Sequence, residues 1–207
     1  MYHFKAKDLN KKQEYKFISC SVIPRPIAWV TSLNIQEDIV NAAPFSFFSA
    51  ASNQIPILTV AVLRNDFKMK DTARNILEQK QAVVHIVDIG LTEAMNATSA
   101  PLPSDKSELD RTDLNLIESS TITVPGIKEA KIRFETILHQ HVPVKDEEGN
   151  IVSDLLLLKV TDYYFDETVF DAEKEYIIPE ALNPTARLSG SQYAEMGQLF
   201  SYKRPTK

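Results

Sequence analysis

Short apolar runs separated by polar turns dominate the first part of the chain. The segments "SVIPRPIAWVTSL" from Ser21, "DIVNAAPF" from Asp38 and "IPILTVAVL" from Ile55 are short and contain many β-branched residues. These features predict strands. The last of these segments has no polar side between Val60 and Leu63, which predicts a strand covered on both faces. Another strand is predicted in "AVVHIVD".

The second half of the chain predicts a long β-hairpin. Its arms are "AKIRFETILHQHVPV" and "IVSDLLLLKVTDYYF", and the intervening "KDEEGN" contains Gly149. Two apolar, β-branched runs on either side of a short polar turn with glycine are typical of paired antiparallel strands. We therefore expect this hairpin to be the longest regular element of the fold.

Helical patterns are few and short. "LNKKQEYKFI" from Leu9 and "TEAMNATSA" predict helices, and "PLPSDKSELDRTD" predicts a polar loop with one helical turn. In "KMKDTARNILEQK", Ala73 and Ile76 have helical spacing, and Asp71 or Thr72 is the expected N-cap. Strands that do not alternate regularly with helices favour a mainly β fold, an antiparallel barrel or sandwich with inserted short helices.

Composition and charge narrow the class of protein. The chain has 207 residues, 43% of them hydrophobic and 25% charged, which is typical of a soluble globular protein. A net charge of −5 argues against nucleic acid as the main partner. No apolar segment is long enough to span a bilayer, so no membrane partner and a cytoplasmic location are expected. Cys20 is the only cysteine, which excludes an internal disulfide, and its apolar neighbours predict a packing role.

Familiar catalytic motifs are missing from the sequence. The five glycines form no G-x-G-x-x-G, P-loop or G-x-S-x-G pattern, which disfavours a Rossmann sheet, a P-loop nucleotide site and a serine hydrolase. His139 and His141 would share one face of a strand, but no cluster of carboxylates or cysteines supplies further ligands, so no metal site is expected. His85 is predicted to be a hydrogen-bonded core residue.

The start of the helix at "KMKDTARN" has the features of an anion site. A helix N-terminus offers unpaired N–H groups and a partial positive charge. Lys70 adds a full charge, and Thr72 adds a hydroxyl donor. The combination suits a terminal phosphomonoester, while an ordinary capped helix with a solvated lysine is the alternative.

The segment "VNAAPFSFFSAAS", residues 40–52, combines small, polar and aromatic residues. Its backbone amides, with Asn41 and Ser46 as side-chain partners, would hydrogen-bond a polar heteroaromatic ring. The apolar walls of such a site would be Phe47, Phe48 and Trp29. The alternative is that the aromatic pair belongs to the ordinary hydrophobic core.

Several sequence blocks resemble one known family. "RPIAWVTS" from Arg25, "NAAPFSFFSAAS" from Asn41 and "KDTARNI" from Lys70 closely resemble, in order and spacing, the FMN-binding split-barrel proteins of the flavin reductase-like family. That family includes flavoredoxin-type electron carriers. "RLSGSQY" from Arg187 is similar to a C-terminal family segment, so the resemblance covers about residues 19–193.

The resemblance implies a fold and a set of ligand contacts. It implies a single domain over residues 1–207, a six-stranded antiparallel FMN-binding split barrel of Greek-key type. The polar tail "SYKRPTK", residues 201–207, is separately expected to be loosely ordered. It also implies a homodimer with FMN near the subunit interface. The phosphate contacts would be Lys70 and Thr72, aided by Thr31 and Ser46. The full set of implied cofactor-binding residues is Arg25, Trp29, Thr31, Asn41, Ala43, Pro44, Phe45, Ser46, Phe47, Phe48, Lys70, Asp71, Thr72 and Arg187.

The function implied is electron transfer through FMN. NADH or NADPH would reduce FMN, and the electrons would pass to a second flavin, a ferric chelate or a redox partner protein. No catalytic side chain is assigned, because the cofactor carries the chemistry. One alternative is a flavoredoxin-type carrier with no NAD(P)H activity of its own. The other is a split-barrel protein that binds a ligand without catalysis.

Overall fold

A seven-stranded antiparallel sheet forms the centre of the computed structural model, which describes residues 1–205. In spatial order the strands run β2-β1-β5-β6-β7-β4-β3. Their bounds are β1 Ala28–Asn34, β2 Ile39–Phe45, β3 Phe48–Ala50, β4 Ile57–Leu63, β5 Gln81–Ile86, β6 Ile132–Lys145 and β7 Ile151–Phe165. The predicted mainly β, antiparallel architecture with short inserted helices is therefore confirmed.

The sheet has one strand more than the six expected. Phe48–Ala50 forms a three-residue edge strand, β3, that pairs with β4. Only residues 46 and 47 separate β3 from β2, which is the opposite edge of the sheet. Because two residues join the two edges, the sheet must curl until these edges approach each other.

The long hairpin of β6 and β7 is confirmed. Its register shifts between Leu138 and Gln140, so that His139 is an extra residue in β6. Such a bulge interrupts the alternation of side chains between the two faces of a strand. The expectation that His139 and His141 share one face depended on that alternation. His139 is exposed, whereas His141 Nε2 lies 2.9 Å from Asp154 Oδ1. Among the described residues, no group of three or more His, Cys, Asp or Glu side chains is arranged to hold a metal ion.

Helix α1 covers Lys11–Ser21 and begins two residues after the predicted start. Asn10 caps it through a reciprocal pair of hydrogen bonds with Gln13, at 2.9 and 3.0 Å. Cys20 is only partly buried near its end, so the predicted packing role holds in part. No helix within residues 1–205 is long and apolar enough to cross a membrane.

Helix α2 covers Asp71–Gln79, and its N-cap is Lys70. The predicted N-cap, Asp71 or Thr72, is wrong: both residues lie inside the first turn. The Asp71 carboxylate instead pairs with Arg74 at 2.6 Å. The helix therefore starts without a side-chain cap.

The remaining elements are short. Helices α3 and α4 cover Thr92–Ala97 and Pro179–Leu182. Single 3₁₀ turns occupy Ala6–Asp8, Ile89–Leu91 and Glu108–Arg111. Two-residue strands pair Leu116–Ile117 with Gly126–Ile127, Phe170–Asp171 with Tyr176–Ile177, and Ala186–Arg187 with Tyr193–Ala194. Residues 201–205 are exposed and have no regular structure, and the rest of the expected flexible tail, 206–207, lies outside the described residues.

The largest hydrophobic core lies between the sheet and α2. Its α2 members are Ala73 and Ile76, and strand members include Val30, Val60 and Leu156. In β4, Val60 and Val62 are buried and Ala61 and Leu63 are half-buried, so the predicted cover on both faces holds only in part. This packing fixes the position of the first turn of α2 relative to β2.

His85 is confirmed as a hydrogen-bonded core residue. It is fully buried, its Nδ1 lies 2.8 Å from the Trp29 carbonyl, and its Nε2 accepts the Ile127 N–H at 2.8 Å. Gly126 allows this close approach, because a Cβ there would lie 3.2 Å from the His85 Nε2 and 3.0 Å from the Arg133 side chain, both tight contacts.

Candidate functional site

A cavity of about 330 Å³ opens between the end of β2, the start of α2 and the loop after α3. Its volume lies in the range of small-molecule sites. The cofactor-binding residues predicted from the sequence that line it are Ala43, Pro44, Phe45, Lys70, Asp71 and Thr72. The lining residues not predicted are Asn65, Met69, Thr98, Ser99, Ala100, Pro101, Leu102 and Glu108.

One end of this cavity is a free helix N-terminus. The N–H groups of residues 71–73 have no acceptor among the described residues, and the Lys70 side chain forms no hydrogen bond or ion pair with any of them. Thr72 is 4% exposed, and its hydroxyl has no hydrogen-bond partner within residues 1–205. A cation, a hydroxyl and three unpaired N–H groups suit a phosphate. The residues present therefore fit the phosphomonoester of FMN.

Asp71 lies at the same end but does not present a free charge. Its carboxylate is paired with Arg74 at 2.6 Å, within the first turn of the helix. The negative charge of Asp71 is therefore countered locally, whereas Lys70, in the same cavity lining, has no ion-pair partner among the described residues.

Glu108 forms part of the cavity wall and is only 8% exposed. Its Oε2 accepts hydrogen bonds from the Asn41 Nδ2 at 3.3 Å and the Ala42 N–H at 3.2 Å. Burial raises the pKa of Glu108, hydrogen bonds from Asn41 and Ala42 oppose this, and the nearby charge of Asp71 adds to the rise in pKa. The sequence analysis missed this residue because it lies in a polar loop far along the chain from the wall residues of β2 and α2.

Asn41 belongs to a buried polar network rather than to the cavity surface. It is 1% exposed, and its Oδ1 accepts a hydrogen bond from the Asn75 Nδ2 at 2.9 Å. The same Asn75 nitrogen donates to the Ser32 hydroxyl at 3.2 Å. Asn41 therefore connects α2 to Glu108, and both of its polar side-chain groups are used within the protein.

Trp29 and Thr31 are placed inside the protein, away from the cavity surface. Trp29 is fully buried and donates from Nε1 to the Thr98 hydroxyl at 2.9 Å. The Thr31 hydroxyl donates to the Pro125 carbonyl at 2.7 Å. Both side chains are covered by segments that pack on the faces of the sheet: Trp29 lies in a cluster with Met95 and Ile127, and Thr31 contacts Pro125. The structure therefore does not bring Trp29 to a ring wall or Thr31 to the phosphate end.

A second cavity of about 180 Å³ shares Pro44 and Ser99 with the first. Ser46, Arg187 and Tyr193 are part of its lining. The Arg187 guanidinium lies 4.6 Å from the centre of the Tyr193 ring. Two further predicted residues, Ser46 and Arg187, are thus brought next to the main cavity.

Arg25 is buried and links three parts of the chain. It donates from Nε to the Ser46 hydroxyl at 3.3 Å, from one terminal nitrogen to the Val22 carbonyl at 2.6 Å, and from the other to the Leu188 carbonyl at 3.0 Å. Its guanidinium lies 5.7 Å from the centre of the Phe47 ring. All of these contacts are internal, so in this structure Arg25 positions Ser46.

Phe47 and Phe48 line neither cavity. Phe47 lies 6.4 Å from Tyr15 of α1, measured between ring centres. Phe48 packs against the main hydrophobic core. The structure therefore favours the packing interpretation of this aromatic pair.

Comparison with known proteins agrees with this architecture. The family model for the flavin reductase like domain matches residues 20–180. An uncharacterized protein of Bacillus subtilis (strain 168), YwrF, is 46% identical over 206 residues, covering 100% of both chains.

Two solved structures extend the likeness to the fold. Component B of nitrilotriacetate monooxygenase from Bacillus cereus is 37% identical, with a TM-score of 0.93 and 98% of each chain covered. The 2-nitrobenzoate 2-nitroreductase of Pseudomonas fluorescens is 32% identical, with a TM-score of 0.87, and covers 99% of this chain and 97% of its own. The resemblance seen in the sequence is confirmed: the chain belongs to the flavin reductase-like family of flavin-linked oxidoreductases.

Proposed function

We propose that the protein binds FMN in the cavity of about 330 Å³ and transfers electrons from NADH or NADPH through FMN to an acceptor. The observation that carries this proposal is the uncapped start of α2, with Lys70 and Thr72 unpaired at the cavity. Membership of the flavin reductase-like family supports a flavin as the ligand.

The chain contributes binding and orientation to this function. When bound, FMN supplies the redox chemistry, because it takes electrons from a reduced donor and gives them to an acceptor. Lys70, Thr72 and the N–H groups of the first turn hold the phosphate. Phe45 and Met69 provide apolar surface that keeps water from the ligand. Ser46 and Arg187 line the second cavity, where a second substrate would approach.

The acceptor proposed is a second flavin, a ferric chelate or a partner protein. The name of the Bacillus cereus structure, a component B, supports an acceptor in a separate protein. The name of the Pseudomonas fluorescens structure supports adding a nitroaromatic compound to the acceptors assayed. These acceptors are distinguished by measuring the oxidation of NADH or NADPH with each one in turn.

We also propose that the protein is a homodimer. Helix α1 has no buried residue, and its Tyr15, Phe17 and Ile18 side chains are exposed. Exposed apolar groups gathered on one helix favour an interface. Light scattering coupled to size-exclusion chromatography measures the mass directly, and a mass of one chain would contradict the dimer.

The absorbance spectrum after addition of FMN and desalting tests the proposed function. We expect flavin bands to remain with the protein and to bleach when NADH or NADPH is added without oxygen. Bands that remain but do not bleach would favour the electron-carrier alternative. If no flavin is retained and a titration detects no FMN binding, the proposed function is wrong.

Replacing Lys70 with alanine is expected to weaken FMN binding. The variant removes the unpaired cation at the start of α2, and a hydrogen bond to a charged group is worth about 1.5–3 kcal/mol. The dissociation constant should therefore rise by roughly ten- to a hundredfold. Fluorescence titration with FMN measures the change.

The control is Lys68→Ala, which removes an exposed lysine from the same loop outside the cavity lining. Riboflavin lacks the phosphate, so its affinity should be the same in the Lys70→Ala variant and the unmodified protein. An unchanged FMN affinity in Lys70→Ala would remove Lys70 from the site.

A further inference from the structure

One carboxylate oxygen of Glu108 accepts no hydrogen bond from any other of the described residues. Its Oε2 accepts the hydrogen bonds from Asn41 and Ala42, while its Oε1 accepts none from another residue within 1–205. The residue is 8% exposed and lines the main cavity. Because Glu108 lines the cavity and Oε1 takes no hydrogen bond from another described residue, this oxygen is available to accept one from a ligand.

The two donors to Glu108 fix how it faces the cavity. The Ala42 N–H belongs to β2, and the Asn41 amide is held in turn by the Asn75 Nδ2 at 2.9 Å. Asn75 lies in α2, the helix whose first turn forms the phosphate end of the cavity. The acceptor oxygen and the anion site are therefore positioned by one connected set of side chains.

A ligand that uses both features needs two kinds of group. It needs an anion for Lys70 and the start of α2, and a hydrogen-bond donor for Glu108, within a cavity of about 330 Å³. In FMN, the phosphate is joined to the ring by a chain that carries three hydroxyl groups. Hydroxyl groups are donors, whereas the edge of the oxidised ring is mainly an acceptor.

We propose that Glu108 accepts a hydrogen bond from the sugar-alcohol chain of the ligand and so selects flavins that carry this chain. This inference rests on the proposed binding of FMN. Burial raises the pKa of Glu108, because it disfavours the charged form of the carboxyl group. A hydroxyl donor would stabilise that charge.

Glu108→Gln tests the proposal with little change in shape. The Asn41 and Ala42 donors require an acceptor, so the glutamine oxygen should take the place of Oε2 and the NH₂ group should face the cavity. An acceptor at the ligand is thereby replaced by a donor. Glu78→Gln is the matched control, because Glu78 is exposed on α2 outside the cavity lining and its replacement changes the net charge equally.

Three ligands separate the possible roles of Glu108. FMN and riboflavin carry the sugar-alcohol chain, and lumiflavin has the same ring with a methyl group in its place. In Glu108→Gln we expect the dissociation constants of FMN and riboflavin to rise by about tenfold or more, and that of lumiflavin to stay unchanged. Fluorescence titration gives all three constants. Unchanged FMN and riboflavin affinities, or an equal loss for lumiflavin, would overturn the proposal.

The same titrations separate this inference from the proposed function. If the unmodified protein binds none of the three flavins, the proposed function is wrong and the role of Glu108 fails with it. If the unmodified protein binds FMN and the Glu108→Gln variant binds it with the same affinity, only the proposed role of Glu108 is wrong. Should Glu108→Gln not fold, as judged by circular dichroism, Glu108→Asp withdraws the acceptor by one methylene and should lower the same two affinities.

Discussion

Replacing Asp154 with alanine is expected to lower the free energy of unfolding by about 3–5 kcal/mol. Asp154 is fully buried and accepts hydrogen bonds from Arg64 at 2.8 and 2.9 Å and from His141 at 2.9 Å. Burial raises the pKa of Asp154, but the hydrogen bonds from Arg64 and His141 outweigh this effect and hold the pKa below its ordinary value. Removing the carboxylate leaves a largely buried guanidinium without its partner.

Urea unfolding of the unmodified protein and the Asp154→Ala variant measures this difference. Lys174→Ala is the control, because it breaks a 2.8 Å pair with Asp171 in which the lysine side chain is 79% exposed. An exposed pair contributes little, so this control should unfold almost as the unmodified protein does. Equal stabilities of the two variants would show that the buried pair is not a main support of the fold.

The Asp154 variant should also affect the ligand site. Arg64 donates to the Phe67 carbonyl at 3.3 Å, in the turn that precedes Lys70. Asp66 and Phe67 both have positive φ, at 47° and 61°, a conformation that is unfavourable for a large side chain. Arg64 needs Asp154 to hold this turn, so we expect weaker FMN binding together with the loss of stability.

Acidification from pH 7 to pH 4 is expected to lower the free energy of unfolding by about 3 kcal/mol through His85 alone. Burial lowers the pKa of His85 from 6.5 to about 4, and the charge of Arg133 adds to this, although the hydrogen bond to Trp29 opposes it. Between these two pKa values the unfolded chain binds a proton that the folded protein excludes. The contribution of His85 to the free energy of unfolding is therefore complete above 6.5, its pKa in the unfolded chain. It is lost as the pH falls toward about 4, its pKa in the folded protein.

Urea unfolding at a series of pH values between 4 and 7 tests the role of His85. The His85→Gln variant should be less stable at pH 7 but should lose much less stability on acidification. Glu135 is a buried carboxylate whose pKa is lowered, because its hydrogen bonds outweigh the effect of burial. Such a group loses its contribution to the free energy of unfolding only below its ordinary pKa. Parallel pH profiles for the two proteins would contradict the assignment to His85.

Most strands could be predicted because they occur in the sequence as short apolar runs, rich in β-branched residues and separated by polar turns. The hairpin of β6 and β7 and the strand β5 were located from apolar runs and turn residues alone. Strand β3 was missed because Phe48–Ala50 is short and lies in a serine-rich segment without alternation. The N-cap of α2 was misplaced because Asp71, a good capping residue, pairs with Arg74 instead.

The site could be predicted only where its residues are close in sequence. Lys70 and Thr72 belong to one helix start, and residues 43–45 to one strand end, so local patterns identified them. Glu108 reaches the same cavity by tertiary contacts, which no local pattern reveals. Trp29 and Thr31 belong to a sequence block that resembles the family, but their side chains are buried, and sequence blocks do not show on which side of a strand a residue lies.

The two-residue connection between β2 and β3 also determines where the chain can be interrupted. Ser46 and Phe47 join opposite edges of the sheet, next to the cavities, so a new terminus or an inserted tag there would open the barrel and the site together. Gly149 lies at the tip of the long hairpin with φ of +86°, and a Cβ there would meet nothing within 4 Å. We therefore expect circular permutation or a fused reporter to be accepted at Gly149 and rejected between Ser46 and Phe47.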